Sequence, residues 1–226
     1  MSETLHFVEH RLQEIALCWM ATLYIIRIWW FTRFKASNER QSPTGKGTVK
    51  PTASIIYSLA NIAMPWGMES TRQRWFMYLQ FVVFHLGAAG AIGLSFIIPY
   101  APQLLESQGS VIIFRLIIGG GFVVGTMRII HRISNRYMRA ISTPDDYFSL
   151  FLLTVFFFFA FLAVPNDLSK GETIMMTYFC LTAFFLVYVP FSKISHYLYY
   201  PFTRYYLGRT MGRRGVFPLT QSSTTK

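Results

Sequence analysis

The chain has 226 residues, 53% of them hydrophobic and 18% aromatic against 14% charged, with a mean hydropathy of +0.36. So little polar surface excludes a soluble globule, and several runs approach the ~20 apolar residues that cross a bilayer. A net charge of +11 does not point to nucleic acid, because the positive residues cluster between hydrophobic runs, as in loops facing the cytoplasm.

The N-terminal stretch MSETLHFVEHRLQE lacks the basic opening of a cleaved signal peptide. His6 and His10 are four apart and share a helix face; with no further ligand nearby they read as interfacial surface residues. Apolar runs then predict five spans: 15–33, 76–98, 111–130, 147–165 and 173–198. Backbone groups in lipid must be bonded internally, and runs this long without alternation make helices rather than barrel strands. Arg27 interrupts the first span and reads as snorkelling beside Trp29 and Trp30.

The connections sort by charge. The 34–75 segment, HRISNRYMRAISTPDD and the tail from Arg204 are basic, whereas the N-terminus, PYAPQLLESQGS and PNDLSKGE are neutral to acidic. The two groups alternate. An all-α membrane protein is therefore expected, a five-transmembrane-helix bundle in the cell membrane with its N-terminus outside and its C-terminus cytoplasmic. One membrane domain is expected over 1–205, with a basic cytoplasmic tail over 206–226. The first inner loop and the tail are rich in Gly, Pro, Ser and Thr, and are expected to stay irregular until a partner orders them.

Within the spans, Gly121 and Gly125 are four apart and read as a close helix–helix contact. FFFFAF at 156–161 reads as lipid-facing bulk or packing. Cys18 and Cys180 each lie in an apolar run, and with no CxxC or CxxCH there is no support for an iron–sulfur cluster or a c-type haem in this chain.

Of five histidines, His131 lies in a basic loop and reads as solvated, but His85 and His196 fall inside predicted spans. An imidazole there needs a partner. His85 follows Arg74 by about 15 Å of helix, and His196 shortly precedes Pro201. Both are thus expected in the inner half of the bilayer, on antiparallel helices. Two such histidines suit axial ligation of a b-type haem, since iron takes neutral imidazole and no buried charge results. Gly87, Gly90 and Gly93 would let a macrocycle or a neighbouring helix approach the backbone. Arg74, Arg128 and Lys193 are the candidate cations for haem propionates, their plainer reading being topology-setting surface charge. On spacing alone, hydrogen bonds to carbonyls or a place in a proton path stay open for the two histidines.

The stretch YVPFSKISHYLYYPFTRYYLGR resembles the end of the last span of the respiratory nitrate reductase gamma subunit, where Pro-Phe-Ser and a basic residue precede a haem-ligating histidine. FHLGAAG is similar to that family's second-span ligand motif, and GGGFVVGTMRIIHRISNRYMRAISTPDDYFSLFLL to its third helix, basic loop and fourth helix. The resemblance covers most of 76–210 and extends to membrane subunits of heterodisulfide reductase and dissimilatory sulfite-reduction complexes. It implies a prokaryotic, quinone-linked cytochrome b anchoring a peripheral redox subunit, with an iron–sulfur subunit expected on the cytoplasmic side. His85 and His196 match the pair holding the haem nearer the cytoplasm. The places of the second pair fall near Phe96 and Tyr178, which cannot replace it, so one haem b is expected rather than two. The alternatives are a haem-free scaffold or assembly subunit of such a complex and, less in keeping with spans that lack clustered acids, a small transporter.

Overall fold

The computed structural model describes residues 1–34, 51–67, 69–169 and 171–218. The described residues are helical, without strands, and five helices are long and apolar enough to span a bilayer. The chain is a multi-pass helical membrane protein by that measure. We number the helices α1 (Glu3–Arg33), α2 (Pro51–Ala60), α3 (Trp75–Tyr100), α4 (Gln108–Ser134), α5 (Arg136–Ile141), α6 (Pro144–Ala163), α7 (Thr173–Tyr188) and α8 (His196–Arg213). The spans are α1, α3, α4, α6 and α7, the last continued by one tight turn to Phe191. Much of the basic 34–75 segment, residues 35–50, lies outside the described residues, as does the end of the tail.

The first span begins earlier than its hydropathy suggests, because the polar N-terminal stretch is itself helical. A widened π-turn at Phe7–Leu12 turns Glu9 and Gln13 into the protein. The Gln13 amide donates to the Val8 carbonyl at 3.2 Å and to the Phe179 carbonyl of α7 at 2.7 Å. A side chain thus bonds a carbonyl of the π-turn.

The fifth span differs in the opposite sense. It was expected over 173–198, but it stops at Phe191 and His196 opens a separate helix. Pro190 has no N–H to continue the ladder, and Ser192 is extended (ψ 168°). The Ser192 hydroxyl then accepts from the Ile194 N–H at 3.2 Å, a local bond that competes with helix. His196 is therefore the first residue of α8 and not a mid-span residue.

The chain divides into two compact units. One comprises Met1–Ile28 and Leu79–Ile194; the other comprises Trp29–Tyr78 and Ser195–Lys226. The first has a core of Phe84, Ala91, Leu94, Ile118, Phe156, Phe157, Tyr178 and Phe179, drawn from four of the spans. FFFFAF splits accordingly, with Phe156 and Phe157 buried and Phe158 exposed. In the second unit α2 packs on α8, which carries helix through 205 to Arg213, into the segment expected to be irregular. Gly208 explains the contact: a Cβ there would lie 2.6 Å from the Ile55 Cα, so only glycine lets the two backbones approach.

Glu172, just before α7, ties down the start of α1. The Ser2 N–H donates to its Oε1 at 2.6 Å and the Ser2 hydroxyl donates to its Oε2. These bonds, the hydroxyl's first, hold its carboxyl below the ordinary value of 4.5. A lowered folded pKa means a contribution present above pH 4.5 and lost as pH falls through the depressed value. The protection factor of the Leu5 amide, its exchange relative to the intrinsic rate at each pH, should therefore fall on acidification in the unaltered protein. In Glu172→Gln it should be low throughout and nearly pH-independent.

Candidate functional site

His85 lies in the third turn of α3, on the side away from α4. Gly87, two residues on, is turned about 200° from it, and Gly87 meets α4: a Cβ there would lie 2.7 Å from the Gly121 Cα. The close contact that buries Gly87 thus leaves His85 exposed. Its Nδ1 lies 2.7 Å from the Phe81 carbonyl oxygen one turn back. A carbonyl can only accept, so Nδ1 carries the proton and Nε2 the lone pair. Phe81 and Phe84 flank the ring, at centroid distances of 4.1 and 6.1 Å.

Arg128, on α4, holds its guanidinium 5.4 Å over the Phe84 ring. Lys193 is held elsewhere in this unit. Its ammonium donates to Asp146 at 3.0 Å and to the Thr143 hydroxyl at 2.9 Å. Asp146 also accepts from the Thr143 N–H and hydroxyl, both at 2.8 Å, which closes the first turn of α6. Its neighbour Asp145 accepts from the Tyr188 hydroxyl at 2.6 Å, joining α6 to the end of α7.

Of the five residues singled out by sequence, His85, Arg128 and Lys193 belong to the first unit, and Arg74 and His196 to the second. Phe84 has both His85 and Arg128 as neighbours, the imidazole ring at 6.1 Å and the guanidinium at 5.4 Å. Arg74 is exposed just before α3. His196, also exposed, starts α8 beside Tyr197, ring centroids 6.4 Å apart.

The glycines divide. Gly87 faces Gly121, and Gly90 faces Ile117 and Ile118, so the third span, not a cofactor, occupies those two faces; a Cβ at Gly93 would meet nothing within 4 Å. Gly125 meets the Thr154 hydroxyl of α6, the close helix contact its spacing suggests. Tyr178 is fully buried, stacked on Phe156 (5.6 Å, 13°), and donates to the Ala91 carbonyl at 2.7 Å. Phe96 is exposed. Sequence reasoning passed over Tyr188, Asp145 and the buried residues Glu9 and Gln13. The only signal for the acids was the Thr-Pro-Asp-Asp run, a helix-start pattern. Comparison with protein-family models, with curated proteins and with solved structures found no match.

Two glycine substitutions separate the readings of this ladder. Gly87→Ala drives a methyl into the Gly121 backbone and should lower the unfolding midpoint in detergent, by about 1–3 kcal/mol of overpacking. Gly93→Ala has room, so its midpoint should match that of the unaltered protein.

Proposed function

We propose that this chain is the membrane-anchoring b-type cytochrome subunit of a respiratory oxidoreductase, exchanging electrons between quinone and a peripheral, iron–sulfur subunit. One haem b would be held by His85 and His196. The observation that carries the reading is the Nδ1–H bond from His85 to the Phe81 carbonyl. Metal-ligating histidines are commonly set this way, with the second nitrogen bonded to a backbone carbonyl so that Nε2 presents its lone pair. The donor chemistry fits a haem iron, which takes neutral imidazole.

The chain's own residues would hold the group and tune it. His85 would arrive with its tautomer set, Phe81 and Phe84 would supply apolar walls, and Arg128, over the Phe84 ring, would be the candidate cation. When bound, the haem supplies one-electron transfer, its potential governed by ligation and burial. Two-electron quinol chemistry therefore calls for a second centre in the complex. Support for one haem rather than two comes from Tyr178, whose buried ring and bonded hydroxyl fill the space near a second ligand place. The haem-free scaffold has an observation in its favour as well: the third span covers Gly87 and Gly90, leaving no cradle for a macrocycle on that face.

Absorbance decides between them. The protein purified from haem-replete membranes should show dithionite-reducible Soret and α bands, with a pyridine haemochrome titration giving one haem per chain. His85→Ala and His196→Ala should each lose the bands while keeping the unfolding midpoint of the haem-free protein. A colourless protein would leave the scaffold reading; bands unchanged in both variants would refute the ligand pair.

A further inference from the structure

Between the third and fourth spans, α4 and α6, lies an open groove of about 320 Å³. It is lined by Ile129, Ile133, Tyr147, Phe148, Leu150 and Phe151, so its walls are almost wholly apolar. Two guanidinium groups contact the lining. Arg132 sits 5.9 Å over the Tyr147 ring, and Arg139 donates to the Ile133 carbonyl at 2.6 Å. Arg132 also donates to the Ser142 hydroxyl at 2.6 Å and lies 3.9 Å from Asp146. A guanidinium has five N–H donors, so these contacts leave each arginine capacity for an anion.

An apolar trough with two arginines in contact with its lining is complementary to one kind of molecule, an acyl chain joined to an anionic headgroup. We propose that this groove binds an anionic phospholipid, its phosphate on Arg132 and Arg139 and one acyl chain along Ile129, Ile133 and Phe151. Basic pockets between membrane helices bind acidic headgroups in this way, and arginine meets phosphate through paired N–H bonds. A quinone is less suited. It is uncharged and gains little from two cations, and the lining offers its carbonyls only the Tyr147 hydroxyl. The inference is independent of the haem.

The test is native mass spectrometry of the full chain released from nanodiscs made of equal parts phosphatidylcholine and phosphatidylglycerol. The unaltered protein should retain phosphatidylglycerol preferentially. Arg139→Gln should reduce that retention about fivefold, and Arg132→Gln by a similar factor. Because Arg132 also touches Asp146, Arg139→Gln is decisive if the other variant unfolds. Ile133→Trp, at an exposed position, fills the groove and should abolish retention while both arginines remain. Equal retention of both lipids would overturn the proposal, as would variants that hold lipid as the unaltered protein does. Displacement of the lipid by a short-chain quinone would assign the groove to quinone instead.

Discussion

The approach of two backbones at Gly87 and Gly121 is the constraint on which the arrangement of the second and third spans depends. In lipid, helices gain little from burying apolar surface against each other, so association rests on close packing and on internal hydrogen bonds. A hydrogen at each Cα lets α3 and α4 touch where any side chain would hold them apart. The rest follows from helical geometry. With Gly87 committed to α4, Ala91 and Leu94 follow on the buried side, while His85 is turned outward. The imidazole is thus positioned by a glycine two residues away.

A second constraint acts where adjacent acids take different tasks. Asp146 closes the first turn of α6 with Thr143 and holds Lys193, whereas Asp145 takes the Tyr188 hydroxyl at the end of α7. These bonds bind the last turn of the fifth span to the first turn of the fourth, just before Pro190 ends the ladder. The ladder of the fifth span thus ends at a fixed place, and His196 begins a new helix. Lys193 is less an available cation than part of this latch.

The five spans were legible because apolar length is a composition signal, and composition survives without tertiary knowledge. Their ends were not. Hydropathy continues past Pro190 through Ile194 and Leu198, so a window sees one span where the missing N–H of proline and the extended Ser192 make two helices. The first span failed in the opposite way: Glu9 and Gln13 look like surface, and only the π-turn and the Phe179 carbonyl show why they face inward. Around the candidate site, His85 stands out in sequence as one imidazole in an apolar run. Its tautomer could not be read there, because that depends on the Phe81 carbonyl being one turn back. Gly87 and Gly90 admitted either a macrocycle or a helix in sequence, and the structure puts α4 there.

The second unit shows how a segment can be polar and still be ordered. α8 is not apolar enough to count among the spans, and α2 is a short helix of ten residues. What holds them is again small residues: Gly208 and Gly212 admit Ser54 and Ser58 to the α8 surface, and the Ser54 hydroxyl donates to the Phe217 carbonyl at 2.9 Å. The Tyr200 hydroxyl donates to the Leu59 carbonyl at 2.9 Å, near the end of α2 where carbonyls lose their helical partners. Glycine and serine content, which by itself argues for an irregular tail, here permits close packing of α8 on α2. The same composition supports opposite inferences, and only the four-residue spacing of Gly208 and Gly212, matching Ser54 and Ser58, distinguishes a packing face from a linker.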